Sequence, residues 1–350
     1  MYMSLKERLM RTKMQSIMRL LACLALLDGC AQNNIIRNES INQNSRVRYI
    51  VIHFTTENFS ESLKTLTQTS DRPVSSHYLI PSPNDATYPR KKLMPYQLVA
   101  ETQRAWHAGK SYWHGEKRLN DSSVGIEIVN TSFCTAAIGV KSQDDNNLPD
   151  LQDCRFKAYP EVQIELVVKL LKDILARHTD IASVNIVGHA DIAPDRKVDP
   201  GPLFPWEKLH NVGIGPWPDP QTTLTYQKQF EFIPPPLALL QKALKTYGYL
   251  IDVTGRNDLQ SRLAVRAFQF HFRQHKPSGL FDAESAAILF ALIERYRNEL
   301  LRDLLLEYGW QPAYIAQMSG DSVAPTGCFM EQTVFFTFRA IGNHFLESIP

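Results

Sequence analysis

The run at residues 47–54, Val-Arg-Tyr-Ile-Val-Ile-His-Phe, constrains this chain more than any other segment. β-Branched and aromatic side chains follow one another with few polar interruptions, which is the pattern of a mostly buried strand. That strand delivers His53 near its C-terminal end. At residues 124–129 the alternation sets Val124, Ile126 and Ile128 on one face and Glu127 on the other, so a second strand presents a carboxylate. Between 160 and 178 the apolar positions Val162, Leu166, Val167, Leu170, Leu171, Ile174 and Leu175 recur at helical spacing behind Pro160, which predicts an amphipathic helix covering a sheet. A short β-branched strand at 184–187 leads into Gly188-His189-Ala190-Asp191 and a loop carrying Pro194, Pro200, Pro202 and Pro205. Strand, helix and strand in this order predict an α/β domain with a central mixed β-sheet flanked by helices.

Pro234-Pro235-Pro236 predicts an extended, rigid linker and a domain boundary. Beyond it, 237–247 and 259–272 have helical apolar spacing, Gly248 is placed to end the first, and Asp282 can cap a third helix from Ala283. This is a small all-α, three-helix module. The stretch from about Leu300 is partly helical and then irregular, with no role assigned.

The N-terminus differs from the rest. Lys6, Arg8, Arg11, Lys13 and Arg19 precede a short apolar stretch at 20–27, the order of a signal peptide and too short for the roughly 20 residues of a membrane span. Its end, Leu27-Asp28-Gly29-Cys30, resembles a bacterial lipobox with an unusual Asp28. The resemblance implies a lipid on Cys30, and Ala31 after it implies sorting to the outer membrane; the alternative is a plain secretory signal with an incidental cysteine. The Asn-rich segment 31–46 reads as a polar tether. Cys134 and Cys154 flank a polar insertion at 139–149; they either pair, as an oxidising compartment permits, or stand as free thiols. With 38 Lys+Arg against 36 Asp+Glu, the net charge of +2 argues against a nucleic-acid partner.

His53 at a strand end, His189 after another strand and Asp199 in the Pro-rich loop are groups suited to a divalent metal. Catalytic zinc takes three N or O protein ligands and keeps a fourth position for water. Spacing alone does not bring these three together. Ser75-Ser76-His77-Tyr78-Leu79, Ala105-Trp106-His107-Ala108-Gly109, the run from Leu119 through Asn120 and Gly125 to Glu127, and the run from Gly188 through Lys197 and Asp199 to Pro202 are similar to motifs of the type-2 N-acetylmuramoyl-L-alanine amidases, over about 47–232. The helices beyond, with Ala267-Phe268-Gln269-Phe270-His271-Phe272-Arg273, resemble the peptidoglycan-binding domain of lipoprotein members of that family.

The resemblance implies Zn2+ held by His53, His189 and Asp199, catalytic Glu127, oxyanion-stabilising Lys197, and substrate contacts from His77, Trp106, His107 and Asn120. For His77 a structural hydrogen-bonding role stands beside substrate contact. Lys197 is either functional or a solvated charge, and His178 reads as a helix-end cation. The implied reaction is hydrolysis of the amide between the lactyl group of N-acetylmuramic or anhydromuramic acid and L-alanine. Its setting would be peptidoglycan or muropeptides in the periplasm, reached by a monomer with a lipid anchor in the outer membrane. Expected organisation is leader 1–30, tether 31–46, catalytic domain 47–232, helical domain 233–299 and a tail 300–350. The competing reading is a non-catalytic peptidoglycan-binding lipoprotein linking envelope and cell wall, and no zinc ligand is missing to favour it. A cytoplasmic recycling amidase is disfavoured by the leader.

Overall fold

The computed structural model describes residues 38, 40–134, 148 and 151–307. In chain order they form β1 (Tyr49–Phe54), α1 (Phe59–Thr67), β2 (Tyr78–Ile80), β3 (Tyr96–Gln97), β4 (Tyr112–Trp113), β5 (Glu116–Lys117), β6 (Ser123–Ile128), β7 (Phe133–Cys134), β8 (Cys154–Arg155), α2 (Glu161–Arg177) and β9 (Ile186–Gly188). Then come α3 (His189–Ile192), α4 (Trp206–His210), α5 (Pro220–Phe232), α6 (Leu237–Tyr247), α7 (Leu259–Phe272), α8 (Ala283–Tyr296) and α9 (Asn298–Glu307). The chain divides into two units, Met1–Asn44 and Ser45–Pro350, and these elements all lie in the second.

β1 is buried along its whole length because it is an interior strand of a sheet ordered β3-β2-β6-β1-β9. It runs parallel to β6 and to β9, β2 runs parallel to β6, and β3 closes one edge antiparallel. The two faces of β1 feed different cores. Ile50 and Ile52 join Val124, Ile126 and Ile128 of β6 and the buried stripe Ile164, Val167, Leu170, Leu171 and Ile174 of α2. Tyr49 and Val51 face the other way, into a cluster that includes Val187, Trp113 and the helices from α5 onward. The continuous apolar run therefore follows from coverage on both sides, as parallel sheets require.

The expected strands at 47–54, 124–129 and 184–187 and the helix at 160–178 correspond to β1, β6, β9 and α2, with ends moved by one or two residues. Asp258 and Asp282 cap α7 and α8 by accepting from Ser261 N–H and Ser285 N–H, and Gly248 ends α6 at a φ of 149°. Four helices go beyond the sequence reading, the short α3 and α4 and the longer α1 and α5. α1 is capped by Asn58, and α5 by Asp219 with Pro220 in its first turn, yet α5 buries only Tyr226 and Phe230. Cys134 and Cys154 are joined by a disulfide across the β7–β8 pair. The leader at 1–30 with its Cys30, the insertion apart from residue 148, and the tail from 308 lie outside the described residues. Among the described residues no helix is long and apolar enough to cross a membrane.

Candidate active site

Parallel strands end at a common edge, and the chemistry collects there. The register sets His53 opposite Glu127 on β6 and Ile52 opposite Gly188 on β9, so His189, one residue further, comes level with His53. This carboxyl edge is where open α/β sheets place ligands. Asp199 arrives from the Pro-rich loop, which the Ala190 N–H grips by donating to the Asp199 backbone carbonyl at 2.8 Å. The approach is close enough that a Cβ on Gly188 would lie 2.6 Å from Pro200 Cδ.

The three expected metal ligands meet. His53 Nδ1 is 2.9 Å from His189 Nδ1 and 3.0 Å from Asp199 Oδ2, and His189 Nδ1 is 3.1 Å from Asp199 Oδ2. All three residues are buried, and they form a group able to hold a metal ion. The hydrogens follow from the surrounding network. The Ser123 hydroxyl donates to the Leu119 carbonyl at 2.6 Å, so it accepts from His107 Nε2–H at 3.1 Å. His107 Nδ1 is then an acceptor and takes Nε2–H of His53 at 3.0 Å, which leaves His53 Nδ1 with a bare lone pair. His189 Nε2 faces the Ala108 carbonyl at 3.3 Å; a carbonyl only accepts, so His189 Nδ1 is bare as well. Two imidazole lone pairs and a carboxylate oxygen converge with no proton between them.

Electrostatics agree. Burial pushes the His189 imidazole down to about 3 and the His107 imidazole well below its usual range, so both are neutral at neutral pH. Glu127 points from β6 into the same cleft of about 220 Å³. Its Oε2 is buried without a hydrogen-bond partner among the described residues, and burial, with Asp199 adding to it against His53 and Lys197, pushes its pKa up to about 7.

Lys197 and Trp106 line this cleft, Lys197 half-buried and Trp106 48% exposed. His107 reaches the cleft with little exposure, and its polar atoms face His53 and Ser123. His77 and Asn120 are not in the lining of this cleft. His77 is fully buried, its Nδ1 accepts from Gly125 N–H at 3.0 Å and its Nε2 faces the Gln103 carbonyl at 3.2 Å, so backbone occupies both nitrogens. Asn120 Oδ1 accepts from the N–H groups of His107 and Ala108, shaping the segment that carries the relay. Sequence reasoning missed Ser123, and it missed Arg196, whose guanidinium ties the Ala108 and Lys110 carbonyls together.

The N-acetylmuramoyl-L-alanine amidase family model matches residues 43–202, and a peptidoglycan binding domain model matches residues 234–289. N-acetylmuramoyl-L-alanine amidase AmiD of Escherichia coli (strain K12) is 41% identical over 295 residues, 80% of this chain and 98% of that protein. The crystal structure of AmpDH3 from Pseudomonas aeruginosa in complex with anhydromuramic pentapeptide superposes with a TM-score of 0.67 at 39% identity, covering 77% of this chain and 99% of that one. The complex of Escherichia coli AmiD with anhydro-N-acetylmuramic acid-L-Ala-D-gamma-Glu-L-Lys gives a TM-score of 0.61 at 39% identity, covering 74% of this chain and 93% of that one.

Proposed function

This chain belongs to the N-acetylmuramoyl-L-alanine amidase family, and from that premise we propose that it is a zinc-dependent amidase cutting between the lactyl group of a muramic or anhydromuramic acid and L-alanine. The observation that carries the metal reading is the convergence of three electron pairs, from His53, His189 and Asp199, at mutual distances of 2.9, 3.0 and 3.1 Å with no hydrogen to share. A cation satisfies all three at once. N and O ligands about 2.0–2.1 Å from zinc in tetrahedral array stand roughly 3.3 Å apart, close to this triangle, and two imidazoles with one carboxylate are donors zinc favours. When bound, the ion supplies Lewis acidity, polarising the scissile carbonyl and bringing the pKa of a water to about 7.

The chain's own residues do the rest. Glu127, facing the cleft with an Oε2 that no donor occupies among the described residues, takes a proton from the attacking water and returns it to the departing alanine amine. Lys197, on the cleft wall, offers positive charge to the oxygen that becomes negative as the carbonyl is attacked. Trp106 offers an exposed ring at the rim to a sugar or peptide. The anhydro-N-acetylmuramic acid-L-Ala-D-gamma-Glu-L-Lys ligand of the Escherichia coli AmiD complex contains the bond this reading assigns. The helices matched by the peptidoglycan binding model favour a wall-derived substrate. We place the protein in the periplasm, held to the outer membrane by a lipid on Cys30.

The test is mass analysis of an anhydromuramyl tripeptide digest, with zinc content measured on the same protein. One zinc per chain is expected, with release of the intact peptide abolished by a chelator and restored by zinc. E127Q should keep its zinc and lose about a hundredfold to ten-thousandfold in turnover, the usual contribution of a general base. A metal-free protein, or digestion indifferent to the chelator, overturns the assignment.

A further inference from the structure

Asp191 is 2% exposed and sits two residues beyond His189. A carboxylate so buried is tolerated only when donors satisfy it. It has three. Its Oδ2 accepts Gly188 N–H at 2.7 Å and His271 Nδ1–H at 2.8 Å, and its Oδ1 accepts the Tyr249 hydroxyl at 2.5 Å. The first of these bonds closes the turn from which His189 projects. The other two come from beyond the Pro234-Pro235-Pro236 stretch, from the residue following the α6 cap and from α7.

The same helices grip the second arm of the site. The His271 ring lies flat on Trp206 of α4 at 3.8 Å and 15°, and Gln274 donates to the Phe204 carbonyl at 2.6 Å, both in the segment that leads away from Asp199. Trp206 Cζ2 in turn stands 3.4 Å from where a Cβ on Gly188 would be. Tyr249 is itself fixed edge-on by Trp113 at 4.9 Å. His189 and Asp199 thus hang from short segments, the four residues of α3 and an irregular loop, whose outer surface is held by α7 and the α6–α7 connection.

We propose that Tyr249 and His271 are positioning residues of the metal centre, holding His189 in place through Asp191, so that the helical part of the chain is a structural component of the active site as well as a region that resembles a wall-binding module. The proposal rests on the metal reading given above.

The experiment compares zinc affinity, by competition with a chelator of known affinity, in the full-length protein and its variants, alongside the thermal midpoint of each metal-free form. Y249F deletes one hydroxyl and keeps the ring. Y247F is the matched control, since the Tyr247 hydroxyl is equally buried but has no hydrogen-bond partner among the described residues. H271F keeps the stack and removes the donor, and H271N returns an N–H at the Nδ1 position. Y249F and H271F are expected to weaken zinc binding about tenfold, the lower end of effects seen at groups that orient metal ligands, while Y247F stays within about twofold and H271N recovers most of the loss. The proposal fails if Y249F binds zinc as the wild type does, or if Y247F loses as much affinity as Y249F. Should H271F not fold, the Y249F and Y247F pair decides. Wild-type protein that binds no zinc fells the metal reading itself, and a zinc-binding wild type with an indifferent Y249F fells only this inference.

Discussion

A carbonyl oxygen accepts hydrogen bonds and never donates them, and that asymmetry at Leu119 and Ala108 determines which nitrogen of each metal-facing histidine is bare. The relay from Leu119 through Ser123 and His107 to His53 makes a definite demand: His53 must carry its proton on Nε2. H107L removes the acceptor of that proton and frees the ring to rotate or change tautomer. We expect zinc affinity to fall about tenfold to a hundredfold, measured by chelator competition, with circular dichroism unchanged. Unaltered affinity would show that the relay does not orient the ligand. Space is as tight as the bonding, since a Cβ on Gly125 would overlap the His107 ring. His53, Glu127, His189, Lys197 and Asp199 could be picked out in the sequence because their motifs resemble those of a known family. Ser123 could not, because a serine between Ser122 and Val124 looks the same whether it ends a relay or only packs in a strand.

At the scale of elements, the C-terminus of α2 is tied to the sheet by one carboxylate. Glu101 accepts from Arg177 at 2.7 Å, from the Tyr78 hydroxyl of β2 at 2.5 Å and from His178 at 2.7 Å. His178 thus closes the helix with a specific acidic partner, where sequence alone suggested interaction with the helix dipole. Burial opposes the Glu101 charge, but these donors outweigh it and hold its pKa down at about 2. A folded pKa below the unfolded one adds stability that is fully present above pH 4.5 and drains away as pH falls toward 2. In E101Q that contribution is absent, so the thermal midpoint should vary less with pH across this window than in the wild type; parallel curves would refute the role. β1 was legible from its continuous apolar run and β6 and α2 from strong periodicity, with burial that extends over whole faces. α5 was not, because two buried residues over its length leave almost no stripe, and only its Asp219-Pro220 start marks it.

For the whole molecule, the sequence points to a boundary at the three prolines, whereas the structure carries one apolar cluster across it. Val51 and Val187 of the sheet share that cluster with Leu240, Phe268 and Phe290 of the helices. Nothing in local sequence could reveal this, since Asp191 is separated from Tyr249 by 58 positions and from His271 by 80. The proposed anchor is likewise a property of the whole chain. C30S should shift the protein from the membrane fraction to the soluble periplasmic extract without altering its specific activity, and wild-type protein already found in that extract would remove the lipid from the picture. The buried Asp191 contact also bears on how such chains can diversify. A recombination event that swapped these helices for a foreign wall-binding module would strand a carboxylate beside the catalytic loop unless it also imported a tyrosine and a histidine in register. Lineages that keep this arrangement are therefore expected to exchange the two halves together and seldom separately.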